Sequence, residues 1–319
     1  LLLAHLGDSG ASLKPIANYL SKHFKVEFVT KPITNLVVNP PAGGPKNTVI
    51  LFENIRRYKE EEKNDLRFAK TLSKLGDIFV NDAFSVSHRK HASVVGIAKY
   101  LPSFAGLQME KEIKGLSEAL NNKKHPFLFI LGGAKFSTKI PLLNRFIENT
   151  DNVVIAGAIL NSFYKTAGFE VGKSIVEGGY EKQIKKILSS PKLLLPTDVV
   201  VTRGNKKIIL PIDEVQKADI IEDIGPNSIR LISEKIKKAK LVVWNGPTGW
   251  YEKGFVGGTV ALAQAISASK ATAVIGGGDT GVVAEKIIGQ SKKVFVSTGG
   301  GATLEYLADG VLVGVKCLK

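Results

Sequence analysis

Short apolar runs alternate with charged, helix-periodic segments along nearly the whole chain. In the first part, residues 1–4, 26–29, 47–55 and 77–84 read as strands, while 12–24 and 63–75 read as helices. Pro15 is tolerated near the first turn of the earlier helix. The stretch 39–47, NPPAGGPKN, reads as a loop. Residues 102–121 form a long amphipathic segment in which Leu107, Ile113, Leu116 and Leu120 recur at helical spacing. It fits a helix joining two domains. From Phe127 a second alternating series runs to Thr298. Strands alternating with helices imply a parallel sheet covered on both faces. No repeat of solenoid period stands out.

Three of the apolar runs end in glycine clusters that lead into helical patterns: FLFILGG at 127–133, ATAVIGGG at 271–278 and VFVSTGGG at 294–301. A helix N-terminus carries unpaired N–H groups and the positive end of the helix dipole, and glycine lets an anion approach the backbone closely. Three such turns in one half of a chain, the first carrying Lys135 and Lys139, point to a polyphosphate site. Four residues apart on a helix, those two lysines would share a face directed at the glycine turn. A solvated basic face is the plainer alternative.

With 319 residues, 44% of them hydrophobic, the chain can bury a large core, and its length favours two domains. The formal charge of +15 suits anionic partners. The basic residues are scattered and no nucleic-acid motif accompanies them, so no nucleic-acid partner is expected. No apolar stretch reaches membrane-spanning length, and no membrane partner is expected. Leu1-Leu2-Leu3 lacks both an initiator Met and a basic flank and reads as a cut strand, not a signal peptide. The single cysteine, Cys317, excludes an internal disulfide framework and favours a reducing, cytoplasmic setting; it reads as an inert core thiol.

The other motifs are less specific. Gly276, Gly278 and Gly281 match G-x-G-x-x-G between a strand and a helix, but the next strand ends in Ser297 and Thr298, without the acidic residue that a dinucleotide fold requires. Too few residues follow for the rest of such a fold. GFEVGKS at 168–174 is one residue short of a P-loop and follows a helical segment, so Gly168 reads as a helix C-cap. Asp279 and Thr280 could cap the helix after the second glycine cluster, or serve a phosphate site in which the carboxylate holds Mg²⁺. His88 and His91, in HRKH, have no evident third ligand for a metal. Arg56, His88 and Arg89 follow apolar strand runs, where open α/β sheets gather ligands, and could line an anion site.

Long motifs then carry a specific resemblance. VILFENIRRYKEEEKND, DIFVNDAFSVSHRKHASVVGIAKYLPSFAGLQMEKEI, LGGAKFSTKI, DIGPNSI, VVWNGPTGWYE, VIGGGDTGVVAEKI and VSTGGGATLEYL occur in this order. Together they resemble the phosphoglycerate kinase family over nearly the whole chain, and KEEEKND resembles its bacterial members. The resemblance implies an α/β protein of two Rossmann-like domains, each a mainly parallel sheet with helices on both faces, joined by a helix across a hinged cleft. It implies reversible phosphoryl transfer between 1,3-bisphosphoglycerate and ADP, giving 3-phosphoglycerate and ATP, with Mg²⁺, in a cytoplasmic monomer of glycolysis. A phosphoglycerate-binding domain is expected at 1–101, the interdomain helix at 102–121, a nucleotide domain at 122–303, and a tail returning to the first domain at 304–319.

By residue, the resemblance implies that His5, Arg56, His88 and Arg89 bind the phosphoglycerate. Gly133, Lys135, Lys139, Gly157, Asn245, Glu252, Gly277, Gly278, Asp279 and Thr280 match nucleotide-binding positions, with Asp279 the Mg²⁺ ligand. Lys139, Gly300 and Gly301 match positions that act on the moving phosphoryl group. The family also has an upstream Asp-x-Asn loop and an upstream arginine, and has HLGRP where this chain reads HLGD, with Asp8 at the arginine position. The simplest reading is a sequence joined across an omitted segment after Gly7. The stretch 252–259 is one residue shorter than usual, and the family's GGG is reduced to Ala156-Gly157-Ala158. Two rivals remain: a non-catalytic anion- or nucleic-acid-binding protein, and an NAD-dependent dehydrogenase built on G-x-G-x-x-G.

Overall fold

A computed structural model describes residues 1–7, 9–33, 48–121, 124–135 and 139–319, without the side chains of 119–121 and 141. The loop expected at 39–47 and Asp8 lie outside the described residues. The chain divides into two compact units, Leu1–Glu110 with Val311–Lys319, and Lys111–Gly310.

The first unit begins with α1 (Lys14–Leu20), β1 (Lys25–Val29) and β2 (Thr48–Phe52). Then come α2 (Lys59–Glu62), α3 (Leu66–Ser73), β3 (Phe79–Asn81) and β4 (Ser103–Ala105). β1 pairs with β2 and β3 with β4, both in parallel register. The strand expected at 1–4 is a single parallel bridge from Leu2 to Leu51, because only Leu2 exchanges ladder bonds with β2. The expected helix at 12–24 is shorter, and Pro15 sits in its first turn. Around Ile33, Phe52, Ile55, Phe68, Leu72, Ala92 and Ile97 packs one buried apolar cluster. α3 starts where it does because the Asp65 carboxylate accepts from the N–H groups of Arg67 and Phe68.

The expected helix at 102–121 splits. Residues 103–105 are β4, which supplies the partner that β3 needs, and α4 runs only over Leu107–Asn121. The boundary between the units falls within α4, after Glu110.

The second unit continues with β5 (Phe127–Leu131), α5 (Ile140–Asn149), β6 (Asn152–Ile155), α6 (Gly157–Ala167), α7 (Glu181–Leu188) and β7 (Leu193–Leu194). Next are β8 (Asp198–Arg203), β9 (Lys206–Pro211), β10 (Ile220–Ile224) and α8 (Pro226–Lys238). β11 (Leu241–Asn245), α9 (Gly257–Ala268), β12 (Thr272–Gly276), α10 (Gly278–Ile288), β13 (Val294–Ser297) and α11 (Gly301–Asp309) complete it. α12 (Val313–Lys316) lies in the segment grouped with the first unit.

The main sheet has six parallel strands in the order β13-β12-β11-β5-β6-β7. Every residue of β5 and β11 is buried, as expected for central parallel strands covered on both faces. Phe129 on β5 stacks on Phe146 of α5 at 3.9 Å between ring centres. Trp244 on β11 is fully buried, and its Nε1–H donates to the Gly246 carbonyl at 2.9 Å. A second, antiparallel sheet, β10-β8-β9, interrupts the parallel series. The alternation of the sequence did not reveal it, because a largely buried apolar run such as β8 reads the same in either orientation. Gly168 ends α6 in the left-handed conformation (φ +96°), the C-cap read from the sequence.

Candidate active site

In the six-stranded sheet the chain leaves β5 toward β6 and later enters β11 on β5's other side. Ligands of open α/β sheets bind where the strand order reverses in this way, at the carboxyl ends of the strands. Here that crevice is built from turns that interlock by backbone hydrogen bonds. Gly132 N–H donates to the Asn245 carbonyl at 2.8 Å, Gly133 N–H to Pro247 at 2.9 Å and Gly157 N–H to Thr248 at 3.0 Å. The Gly133 carbonyl in turn accepts from Ile159. Gly157 has φ +63°, and a Cβ there would lie 2.4 Å from the Gly133 nitrogen. Only glycine fits both the conformation and the approach.

Lys139 lies at this crossing. Its Nζ donates to the Gly132 carbonyl at 2.7 Å. Burial pushes its pKa down from 10.5 to about 8. The shared helix face expected for Lys135 and Lys139 is not formed. α5 begins at Ile140 with Lys139 in the N-cap position, and Lys135 precedes the helix as an exposed residue. Pro141 explains the late start, since proline belongs in a helix's first turn. The intervening 136–138 lie outside the described residues.

On the other side of β11, Asn245 Nδ2 donates to the Gly300 carbonyl at 3.2 Å, tying the β11 end to the start of α11. Gly300 is that helix's N-cap at φ +51°, ψ −107°, a conformation closed to other residues, and Gly301 begins the helix exposed. α10 starts at Gly278 with Gly277 as N-cap and no capping side chain. The capping role considered for Asp279 and Thr280 is therefore not taken up. Asp279 is exposed in the first turn, and the buried Thr280 hydroxyl has no partner among the described residues. Glu252 lies exposed on a single 3₁₀ turn, Tyr251–Lys253.

Two carboxylates missed by sequence reasoning anchor these turns. Glu112 on α4, fully buried, accepts from both the N–H and the hydroxyl of Thr298, just before Gly299. Asp223 at the end of β10 accepts from its neighbour Ile224, from the Thr248 hydroxyl at 2.9 Å and from the Gly258 N–H at 2.9 Å. It thereby closes the loop from β11 to α9. Burial raises its pKa, and these hydrogen bonds hold it down. Its signal in the sequence is the acidic pair Glu222-Asp223 among the isoleucines of 220–224, where an ionised side chain needs partners.

The first unit holds a cationic cluster. Asn54, fully buried, accepts from the Arg56 N–H and donates to the carbonyls of Leu6 and Ala11. It folds the HLG segment over a 3₁₀ turn, Ile55–Arg57. The Arg56 guanidinium donates to the Gly7 carbonyl at 2.9 Å and lies 3.7 Å from Glu62. Arg89 Nε donates to His88 Nε2 at 3.3 Å. Burial, then the positive charges of Arg56, Arg89 and His91, lower the pKa of His5. Burial and Arg89 lower those of His88 and His91. His5, Arg56, His88 and Arg89 are thus brought together with His91, which sequence reasoning had considered only as a metal ligand. Cys317 is partly buried, its pKa raised by burial, and its thiol donates to the carbonyls of Val94 and Gly314. No helix among the described residues is long and apolar enough to cross a membrane.

This topology defines a doubly wound α/β protein with interlocked glycine turns at its β5/β11 switch point. The phosphoglycerate kinase family model matches residues 1–310. The phosphoglycerate kinase of Dictyoglomus turgidum is 40% identical over all of this chain and 85% of its own length. That of Borreliella burgdorferi is likewise 40% identical over all of this chain and 86% of its own. Among solved structures, the chain is similar to phosphoglycerate kinase from Pyrococcus horikoshii, with a TM-score of 0.83 at 28% identity over 99% of this chain and 85% of that one. It is similar also to phosphoglycerate kinase from Coxiella burnetii, with a TM-score of 0.74 at 34% identity over 99% of this chain and 84% of that one. The chain belongs to the phosphoglycerate kinase family.

Proposed function

We propose that this chain transfers a phosphoryl group reversibly between 1,3-bisphosphoglycerate and ADP, forming 3-phosphoglycerate and ATP. The observation that carries this reading is Lys139, a partly buried cation held against the glycine turn at the switch point. Phosphoryl transfer asks a protein chiefly for positioning and for compensation of charge on the equatorial oxygens. Lys139 would follow the moving group, and the N–H groups at Gly300 and Gly301 would meet its oxygens. Gly133, Lys135, Gly157, Asn245, Gly277, Gly278 and Thr280 would hold the nucleotide, with Glu252 on its ribose. His5, Arg56, His88 and Arg89 would hold the phosphoglycerate. We assign the first unit to phosphoglycerate and the second to nucleotide, with α4 as the hinge element.

Asp279 fits a Mg²⁺ ligand. It is an exposed carboxylate at a helix start, not engaged in capping, and Mg²⁺ is commonly held by one or two carboxylates with substrate phosphates. When bound, Mg²⁺ would neutralise charge on the transferring phosphates. The glycolytic chemistry supports action in the cytoplasm, and we take the working form as a monomer. The test is ADP formation from ATP that depends on 3-phosphoglycerate, compared with Arg56→Ala. The variant should chiefly weaken phosphoglycerate binding. A change confined to ADP affinity would overturn the assignment of the units.

A further inference from the structure

We propose that Glu61 is the positioning residue that assembles the cationic cluster of the first unit, and so sets its affinity for phosphoglycerate without touching it. The identity of the ligand rests on the function proposed above; the geometry does not.

Besides His5, the cluster is formed from two stretches far apart in sequence. Arg56 comes from the turn after β2, and His88, Arg89 and His91 from the segment after β3. Positive groups brought together repel; burial first, and then the neighbouring cations, lower the pKa of His5, His88 and His91. Something must hold the two stretches in register when no anion is bound.

Glu61 sits on α2, directly after the Arg56 turn, and is only 2% exposed, whereas Glu60 and Glu62 are exposed. Its Oε1 accepts from the Ser93 hydroxyl at 2.6 Å and its Oε2 from the Ser93 N–H at 2.9 Å. Oε1 also lies 3.7 Å from His91 Nδ1. Ser93 belongs to a five-residue π-helical turn, Ala92–Gly96, in which the His91 carbonyl accepts from Val95 and Gly96. Such turns are rare and frequently mark functional sites. This one is wedged in place, since a Cβ on Gly96 would lie 2.7 Å from Asn64 Oδ1 and 2.8 Å from the Ala69 Cβ. Asn64 is the only non-glycine residue at positive φ (53°) among the described residues.

Both oxygens of Glu61 thus bind the segment that carries Arg89 and His91, while its own helix continues from Arg56. Burial raises its pKa, opposed by the Ser93 hydrogen bonds and by Arg56. The carboxylate, itself buried, offsets the cluster's repulsion.

The test is Glu61→Gln, which keeps the shape and removes the charge and one acceptor, alongside Ser93→Ala and the double variant. KM for 3-phosphoglycerate should rise about tenfold, the scale of one hydrogen bond to a charged group. KM for ATP and kcat should stay within about twofold, and Ser93→Ala should add little in the Glu61→Gln background, as expected for coupled partners. A second readout is independent of turnover: inorganic phosphate titrated against the histidine ring resonances should bind more weakly in Glu61→Gln. Equal rises in both KM values, or unchanged phosphate binding in a folded variant, would overturn the proposal. Should Glu61→Gln fail to fold, Ser93→Ala alone must show the same selective rise. A protein whose phosphate affinity depends on Glu61 but which turns over no 3-phosphoglycerate would sink the functional reading and leave the positioning role intact.

Discussion

Replacing Lys139 with methionine should make the ligand-free protein more stable and the enzyme far slower. Its pKa is pushed from 10.5 down to about 8 by burial, so the charged form is disfavoured in the folded state. A fall of that size corresponds to about 3 kcal/mol at neutral pH. Methionine fills similar volume but gives up the hydrogen bond to the Gly132 carbonyl, worth about 1 kcal/mol. The net gain expected at pH 7 is about 2 kcal/mol. The sign also fixes the pH dependence. A base with a depressed folded pKa destabilises fully below that pKa, and the penalty fades as pH rises toward the unfolded value. Between pH 8 and 10.5 the native protein should therefore catch up with the variant. Urea unfolding at pH 7, 9 and 10 measures this directly. In the same variant kcat should fall by ~10² to 10³, the loss of one preorganised charge stabiliser. A variant less stable than the native protein by the same margin at every pH, or one with unchanged turnover, would refute the reasoning.

Gly157→Ala should lower both stability and nucleotide affinity, since φ +63° costs a side-chain residue about 1–2 kcal/mol and the new Cβ would strike the Gly133 nitrogen; thermal unfolding with and without ADP checks it. Asp223→Ala should raise KM for nucleotide about tenfold, ~1.4 kcal/mol, because Thr248 and Gly258 lose their shared acceptor. KM for 3-phosphoglycerate should not follow, and steady-state kinetics with each substrate varied will tell. Trp244→Ala empties the centre of β11 and should cost about 3–5 kcal/mol in urea unfolding.

The strand–turn–helix order of the second unit was legible because its signals are local. β5, β12 and β13 are short apolar runs closed by glycines, and each is followed by a helix. The first unit was harder. The apolar run at 102–107 reads as part of a helix, yet 103–105 pair with β3, because a strand with an open edge gains more from a partner than the helix gains from another turn. Glu61 stands in the run EEE, and nothing in that wording separates the buried carboxylate from its two solvated neighbours.

The sequence by itself determined the alternating α/β architecture, the glycine turns at the strand ends, the cations near them and the family. These follow from period, composition and residues whose conformational demands neighbours alone express. Only the tertiary structure decided which turns interlock at the β5/β11 switch point, that Lys139 takes the N-cap position of α5 instead of sharing a helix face with Lys135, and that Glu61, Glu112 and Asp223 hold the turns in place. Desolvation and hydrogen bonding between residues distant in the chain set those outcomes, as when Glu61 meets Ser93 or Asp223 meets Gly258. No local pattern carries that information, because the partner becomes a neighbour only when the chain has folded.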